Sequence, residues 1–516
     1  MRVLLIDIDS LRPDRLGTYG YGRETSPAID SIAENGVVFE RCYASDTPCL
    51  PSRSSLATAR FGVKHGVVTH WGEGQWLDLY SRRGNGSDYP SDRPFSFRHL
   101  SEEGVNTSTV TSFSKRHAAY HFSGTFRESI QPSPGGSDRA DAVTDVAIDW
   151  IDDHAEEDDW LLHLNYWDVH HPYVGMEEYV DEVRESGTGA DWIDQNVLDD
   201  QAGSTGVRCR DMWPSPSQHD FGDQEYVEYG DWPMPVRFDD PKYVQHLNDG
   251  YDAAVRSVDA EVEHLLETLE RAGIRDETAV VVTADHGEAL GEHGIYAEHA
   301  LAHPSCQQVP LIVDAPGYSE SNGSTVEDFV YQFDLIPTLC DLFDVSTPEG
   351  WDADPLTPAL AGDPFDGRET LVCGHGIYTF SRAVYHDDWV YTRIYHPGVF
   401  SVPGLYNDPD LPNGGLELLH DLEADPHMTT NFVADRPGVA EEMRSRLERW
   451  ETEHVVSREG GGRDSLTEMA ATDGPYLYVD PSELAGAYRE LEYAPEQVER
   501  VERVAREFDR PSFPAE

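Results

Sequence analysis

One cysteine of this 516-residue chain lies in a segment that could present a nucleophile to an anion. Residues 47–53 read Thr-Pro-Cys-Leu-Pro-Ser-Arg, with the cysteine at position 49. Pro51 and Ser52 predict the start of a helix, whose N-terminal N–H groups and dipole would face an anion held near Cys49. Arg53, one turn into that helix, would add a charge-assisted donor to the nucleophile or to a metal ligand. The segment therefore predicts an anion site beside a reactive side chain.

Acidic residues that follow two apolar runs indicate where a ligand would bind. Asp9 follows the run at residues 3–8, and Asp285 follows the run at residues 279–282 after two further residues. Each run is typical of a buried parallel strand. Ligands of open α/β sheets bind outside the carboxyl ends of such strands, so we expect Asp9 and Asp285 to share one site. Asp7 lies two residues before Asp9 and would point to the same face.

The elements that must position these residues alternate between strands and amphipathic helices. Helices are predicted over Ser26–Asn35, Ser52–Thr58 and Asp249–Ala272, and the strand Ala279–Val282 follows the last of them. This alternation predicts an α/β sheet with helices on both faces.

Three later segments differ from this pattern. Residues 185–240 are rich in Gly, Asp, Ser and Pro, which predicts a long insertion, either a lid or a solvated excursion. From about residue 367, short strand-like runs and a helix near 437–455 predict a smaller α+β subdomain. Glycines 460–462 predict a linker, and residues 495–508 predict a terminal amphipathic helix.

Composition limits the classes of partner. The chain has 38 Lys and Arg against 97 Asp and Glu, a formal charge of −59, and this field disfavours nucleic acid and anionic membranes. We interpret the charge as a halophilic surface, because about 1 M salt shortens the Debye length to about 3 Å. No secretory signal or membrane span is visible, which favours a cytoplasmic location. The six cysteines are scattered, and we expect most of them to be buried hydrophobes.

The segment Cys49-Leu50-Pro51-Ser52-Arg53, followed by Leu56-Ala57-Thr58-Ala59, resembles the Cys-x-Pro-x-Arg signature of the type I sulfatases of the alkaline phosphatase superfamily. The resemblance implies an alkaline-phosphatase-like mixed sheet sandwiched by helices. It also implies that Cys49 is oxidised to formylglycine by a transient maturation enzyme. One oxygen of the aldehyde hydrate would then attack sulfur, and the other would later expel sulfate.

Two further motifs resemble the metal ligands of that family. Residues 281–288 read Val-Val-Thr-Ala-Asp-His-Gly-Glu, and residues 9–14 read Asp-Ser-Leu-Arg-Pro-Asp. The resemblance implies that Asp9, Asp285, His286 and modified residue 49 bind one divalent ion. Oxygen-rich ligands favour Ca²⁺, with Mg²⁺ or Mn²⁺ as alternatives, and the imidazole also suits Mn²⁺ or Zn²⁺. We expect Asp7 to accept hydrogen bonds beneath the site, although a role as a compensating carboxylate stays open.

Other motifs imply contacts with the sulfate and the leaving group. Lys115-Arg116-His117 resembles the family's Lys-x-His, so Lys115 and His117 are expected at the sulfate. The stretch 165–173 resembles Asp-x-His-x-Pro-Tyr, so His170 is expected to protonate the leaving oxygen. The sequence departs from the family at Glu298, which stands where a lysine is usual. His299 or His303 could take over that contact, or the substrate could differ.

Motifs matching the family run from residue 3 to about 432, including residues 333–339 and 418–426. We therefore predict a catalytic domain at 1–366, a C-terminal α+β subdomain at 367–457 and an extension at 458–516. The predicted activity is that of an arylsulfatase-like sulfuric ester hydrolase acting on a small sulfate ester or a sulfated sugar. One alternative is a phosphonate monoester or phosphodiester hydrolase with the same nucleophile. Another is a non-catalytic binding protein in which Cys49 stays a thiol.

Overall fold

A mixed sheet of eight strands organises the chain. The computed structural model describes residues 1–70, 72–77, 95–134, 138–203, 224–318, 321–396, 416–456 and 464–471, with isolated positions after 471. Across the sheet the strands are Ser324–Tyr331, Val37–Tyr43, Leu311–Asp314, Thr278–Thr283, Arg2–Ile8, Trp160–Tyr166, Asn106–Val110 and Glu128–Ile130. Leu311–Asp314 runs antiparallel to both its neighbours, and the other neighbouring pairs are parallel.

The two predicted site strands are neighbours at the centre of this sheet. Arg2–Ile8 and Thr278–Thr283 are buried along their whole length, as expected for parallel strands covered on both faces. Their register pairs Asp7 with Thr283. Asp9 and Asp285 each follow this pair by two residues, so both emerge at the same edge of the sheet.

Helices connect and cover the strands, which confirms the predicted α/β class with a mixed sheet. The α-helices are Pro27–Asn35, Cys49–Thr58, Gly62–His65, Ser96–Glu102, Phe113–Arg116, Tyr120–Ser123, Ala140–His154, Val180–Ser186, Gln195–Gly203, Pro241–Ala272, Pro304–Gln307, Leu335–Leu342, Thr357–Leu360, Pro437–Glu451 and Ser465–Ala470. In the parts of the chain that the structure describes, no helix combines the length and the apolar character needed to cross a bilayer.

Two helix starts differ from the sequence prediction. The helix predicted over Ser52–Thr58 begins earlier, at Cys49, since the Ser52 N–H already donates to the Pro48 carbonyl. Proline is tolerated within a first helical turn because the N–H that it lacks would have no intrahelical partner. The long helix begins at Pro241, where Asp240 caps it by accepting from the Lys242 N–H.

A second sheet, formed mostly by the C-terminal part of the chain, reaches the segment that precedes Cys49. Its strands are, in order, Leu416–Asp421, Trp389–His396, Thr379–His386, Leu371–Ile377 and the short Asp46–Thr47. Asp46–Thr47 pairs in parallel with Leu371–Ile377, two residues before Cys49. The segment predicted as a separate subdomain therefore pairs with the backbone that leads into the helix Cys49–Thr58.

The predicted insertion and tail are described only in part. Within 185–240 the structure shows the helix Gln195–Gly203 and a hairpin of Tyr226–Tyr229 with Trp232–Pro235. A second short pair joins Ala289–Leu290 to Tyr296–Glu298. The helix near 437 ends at Glu451 and continues as a π-helical turn, Thr452–Val456. The predicted linker at 460–462 and most of the predicted helix at 495–508 lie outside the described residues.

Candidate active site

Four predicted ligands meet at the carboxyl edge of the central strands. Ligand atoms of Asp9, Cys49, Asp285 and His286 all lie within 4.8 Å of one another, and all four residues are buried. The Cys49 Sγ lies 3.0 Å from Nε2 of His286. Burial raises the pKa of the Cys49 thiol well above its ordinary value, and the carboxylates of Asp9 and Asp285 raise it further. An unmodified Cys49 would therefore be a protonated, weak nucleophile.

Arg53 donates hydrogen bonds to three carboxylates at this site. Its Nε lies 2.8 Å from Asp7 Oδ2, and its Nη1 donates to Asp9 Oδ2 at 2.9 Å and to Asp285 Oδ2 at 2.5 Å. The guanidinium has no solvent exposure, so it is a fixed charge. Of the two roles predicted for Arg53, the structure shows donation to the predicted metal ligands.

The carboxyl groups around Arg53 differ electrostatically. Burial alone would raise the pKa of Asp7, but Arg53 and a hydrogen bond with His163 outweigh it and lower that pKa. Burial raises the pKa of Asp285 well above its ordinary value, and the carboxylates of Asp9 and Asp7 add to the shift. Asp7 thus accepts hydrogen bonds beneath the site, as expected, whereas Asp285 lies among like charges.

The donor set fits a divalent cation. His286 donates its Nδ1–H to the Gly287 carbonyl at 2.7 Å, which leaves Nε2 as a lone-pair nitrogen beside Asp9, Cys49 and Asp285. A backbone carbonyl that fixes the tautomer in this way is the usual partner of a metal-binding histidine. With all three carboxylates ionised, the carboxylates and the guanidinium of Arg53 together carry a formal charge of −2, which a bound divalent ion would neutralise.

Lys115 does not reach the site, and Arg116 does. The Lys115 side chain is exposed, whereas Arg116 lines the cavity above Cys49 with its guanidinium carbon 3.2 Å from the centre of the Trp167 ring. Burial lowers the pKa of Arg116 to about 10, so the group stays charged at neutral pH. The prediction that Lys115 contacts the sulfate is therefore corrected. In the short helix Phe113–Arg116 it is Arg116, the next residue, whose side chain points into the cavity.

Two histidines line the same side of the cavity. His117, which the motif predicted, has an Nε2 that is buried without a hydrogen-bond partner among the described residues. His70, which the sequence analysis missed, accepts a hydrogen bond at Nε2 from the Leu50 N–H at 3.2 Å. Burial lowers the pKa of His70 to about 3, so its ring is neutral.

His170 and His299 also lie close to Cys49. Ligand atoms of Cys49, His170 and His299 lie within 4.8 Å of one another, and all three residues are buried. His170 donates its Nδ1–H to the His171 carbonyl, and burial holds its pKa well below the ordinary value. A neutral ring in this tautomer offers the site a lone pair and no proton. The arrangement therefore disfavours the acid role predicted for His170.

The two histidines predicted as replacements for the missing lysine, His299 and His303, lie in different places. His299 lies in the cavity, but His303 caps the helix Pro304–Gln307 by accepting from the Ser305 N–H and packs against His293. Glu298 does line the cavity, and its Oε1 accepts a hydrogen bond from the Tyr378 hydroxyl at 3.0 Å. Burial raises the pKa of Glu298 to about 7.

The cavity that these groups line has a volume of about 540 Å³. Its outer wall combines aromatic and charged side chains from distant parts of the chain, namely Arg139, Trp167, Asp231, Glu298 and Tyr378. Arg139 pairs with Asp231 at 2.9 Å, and Asp231 belongs to the segment predicted as an insertion. Glu298 and Trp167 fall in segments that the sequence analysis quoted, but no motif included Arg139, Asp231 or Tyr378, since each reaches the cavity through a loop or hairpin.

A family model and a curated relative each match most of this chain. A sequence model described as Sulfatase matches residues 2–345. The chain is 23% identical over 503 residues to an N-acetylglucosamine-6-O-sulfatase of Bacteroides thetaiotaomicron, covering 83% of this chain and 82% of that protein.

Solved structures show the same fold at lower identity. A phosphonate monoester hydrolase of Agrobacterium radiobacter superposes with a TM-score of 0.64 at 18% identity, covering 90% of this chain and 99% of the other. BT4656 in complex with its substrate D-glucosamine-2-N,6-O-disulfate superposes with a TM-score of 0.66 at 18% identity, covering 88% and 98%.

Proposed function

The chain belongs to the sulfatase family, whose members are sulfuric ester hydrolases, and from this premise we propose that it hydrolyses sulfate esters through a formylglycine made from Cys49. The position of Cys49 carries the proposal. Its Sγ lies at the start of a helix, within 4.8 Å of ligand atoms of Asp9, Asp285 and His286. Helix N–H groups and a cation at this point would stabilise the charge that develops on a transferring sulfuryl group.

We propose that Asp9, Asp285, His286 and residue 49 hold one divalent ion, with Ca²⁺ as the first candidate. When bound, the ion supplies positive charge beside the nucleophile and the sulfate oxygens. Arg53 orients the Asp9 and Asp285 carboxylates, and Asp7 in turn holds Arg53 through Nε and Nη2. Arg116 and His117 line the cavity and would bind the sulfate oxygens.

The outer wall supports a sulfated sugar as the substrate class. Aromatic faces such as Trp167 pack against sugar rings, and the Glu298 and Asp231 carboxylates accept hydrogen bonds from hydroxyl groups. The N-acetylglucosamine-6-O-sulfatase relative supports the same class. Glu298 in the usual lysine position keeps phosphonate monoesters and phosphodiesters as a second candidate class, and the phosphonate monoester hydrolase shares the fold.

The proposal is tested by expressing the chain with and without a formylglycine-generating enzyme. Mass spectrometry of the peptide containing residue 49 should show the aldehyde only in the first sample, and hydrolysis of 4-nitrophenyl sulfate should follow the aldehyde content. Cys49→Ala should abolish turnover, while Cys340→Ala, at a buried cysteine in the helix Leu335–Leu342, should retain it. Full activity with an intact thiol at residue 49 would refute the mechanism. A parallel series with a phosphonate monoester and a phosphodiester decides between the substrate classes.

A further inference from the structure

Glu298 is a buried carboxylic side chain that faces the same cavity as the groups around Cys49. It ends the short strand Tyr296–Glu298 and lines the cavity together with His170 and His299. Ligand atoms of these two histidines lie within 4.8 Å of the Cys49 Sγ. A carboxyl group therefore shares the cavity with the neighbours of the nucleophile, at the position where a lysine is usual.

We propose that the protonated form of Glu298 is the general acid that gives a proton to the leaving oxygen of the sulfate ester. The assignment rests on the proposed function, since it requires the sulfur of the ester to lie beside residue 49. As sulfur bonds to the attacking oxygen of residue 49, the S–O bond to the leaving group breaks with its electron pair on that oxygen, which takes the Glu298 proton. The proton of the attacking hydroxyl passes to water, and the Glu298 carboxylate regains a proton from water before the next turnover.

Two hydrogen bonds orient the carboxyl group of Glu298 and leave space for a proton. Its Oε1 accepts from the Tyr378 hydroxyl at 3.0 Å, and its Oε2 accepts from the His299 backbone N–H at 3.3 Å. Each carboxyl oxygen has about two acceptor positions, so each keeps one beyond these bonds among the described residues. That position is where the acidic proton and the leaving oxygen would meet, and a general acid must be held at such a hydrogen-bonding distance.

Burial favours the protonated form of Glu298. It raises the pKa of this carboxyl to about 7, although the hydrogen bonds from Tyr378 and from the His299 N–H act in the opposite direction. His171 places its Nε2 3.7 Å from Oε1, but burial lowers the pKa of His171 to about 4, so this neighbour is neutral near pH 7. A general acid is most effective when its pKa lies near the working pH, and Glu298 meets this condition.

The other histidines around the cavity are poorer proton donors. Four of them line it, namely His70, His117, His170 and His299. Burial lowers the pKa of each, so their rings are neutral near pH 7 and leave the acid role to the carboxyl. The charged side chains on the wall are Arg116, Arg139 and Asp231. Behind the wall, the buried Glu288 accepts from the Tyr173 hydroxyl and interacts electrostatically with Glu298.

The charge of the substrate acts in the same direction as burial. A like charge beside a carboxyl disfavours its ionised form, so a bound sulfate ester should raise the pKa of Glu298 further. A carboxylate at this position would repel the sulfate, whereas a protonated carboxyl avoids the repulsion and carries the proton that the leaving group needs. Glutamate in place of lysine is then compatible with the binding of a sulfate ester.

The dependence on the leaving group tests the assignment. Wild type and Glu298→Gln, each with its aldehyde content at residue 49 measured by mass spectrometry, are assayed with 4-nitrophenethyl sulfate and 4-nitrophenyl sulfate. An alkoxide must be protonated as it leaves and a nitrophenolate need not be, so Glu298→Gln should lower kcat by roughly 100- to 10,000-fold on the alkyl ester and by less than about tenfold on the aryl ester. The wild-type kcat/KM for the alkyl ester should fall as pH rises through about 7, and the variant should lack this fall.

Two further variants separate an acid from a structural role. Tyr378→Phe removes a hydrogen bond that lowers the pKa of Glu298, so the fall in kcat/KM should move to higher pH. Asp259→Asn is the matched control, because Asp259 is a buried carboxyl whose pKa is also raised to about 7 but which binds the Ala28 and Ile29 N–H groups. It should keep the pH profile and the leaving-group dependence of the wild type. Circular dichroism verifies that each variant is folded.

Equal losses on the two esters in Glu298→Gln, or a fall near pH 7 that persists in this variant, would overturn the acid assignment. The proposed function would stand in that case, since the wild type still hydrolyses sulfate esters. An aldehyde-bearing wild type that hydrolyses neither ester would refute the proposed function, and the acid assignment with it.

Discussion

Arg53→Met should lower the unfolding free energy of the metal-free protein more than any single surface substitution. A bound divalent ion should restore part of the lost stability. Arg53 is the buried cation that the structure shows among the carboxylates of Asp7, Asp9 and Asp285. Its removal changes the local formal charge from −2 to −3, taking all three carboxylates as ionised. Losing one partner of a buried ion pair costs about 3–5 kcal/mol, and we expect a loss of that size in the metal-free protein.

The response to metal makes this prediction specific. A more negative site attracts a divalent ion more strongly, so saturating metal should raise the unfolding free energy of Arg53→Met more than that of the wild type. Arg382→Met is the matched control. Arg382 is equally buried, pairs with Glu451 at 3.0 Å and Asp464 at 2.6 Å, and lies outside the site. It should lose a similar amount of stability, with the same gain from metal as the wild type.

The assay is urea unfolding followed by circular dichroism, with chelator or with saturating Ca²⁺. A metal-free Arg53→Met protein within about 1 kcal/mol of the wild type would refute the buried charge network, since such a network cannot lose its cation cheaply. A gain from metal no larger than that of Arg382→Met would show that Arg53 does not share its carboxylates with the ion.

The remaining predictions concern the sulfate contact and the pH dependence of folding. Arg116→Ala should lower kcat/KM on a sulfate ester by roughly one to two orders of magnitude, the cost of a charge-assisted hydrogen bond worth about 1.5–3 kcal/mol, whereas Lys115→Ala should stay within about twofold; the reverse order would return the sulfate contact to Lys115. Asp259 accepts from the Ala28 and Ile29 N–H groups, and burial raises its pKa to about 7. Because this pKa is raised on folding, the stabilising contribution is complete below about pH 4 and is lost as pH rises through about 7. As the pH rises from 4 to 9, the unfolding free energy of the wild type should therefore fall relative to that of Asp259→Asn, by up to about 4 kcal/mol. A difference between the two proteins that does not depend on pH would contradict the buried, protonated state.

Motifs were most informative where a side chain's function depends on its neighbours in the chain. Cys49 and Arg53 lie one helical turn apart, and Asp285 and His286 are adjacent, so local backbone geometry already brings each pair to one place. The sequence could assign Asp9 and Asp285 to one site because parallel strands end at the same edge of a sheet. The structure brings these five residues together as the sequence predicted.

Motif spacing was misleading where the direction of a side chain depends on packing. In Lys115-Arg116-His117 the sequence cannot say which basic residue faces inward, and the structure turns Arg116 over Trp167 and leaves Lys115 exposed. The helix Cys49–Thr58 likewise starts earlier than the predicted Ser52, directly after the strand Asp46–Thr47, which pairs with a strand from a distant part of the chain.

The sequence by itself indicated the α/β class, the nucleophile candidate, and the acids and histidine of the proposed metal site, because these depend on periodicity and on short-range spacing. Only the tertiary structure decided that His299 lies beside Cys49 while His303 does not, and that Asp231 and Tyr378 line the same cavity. It also fixed the tautomer of His170 through the His171 carbonyl. These features depend on how loops far apart in the chain pack over one sheet edge, and hydrophobic patterns do not encode that packing.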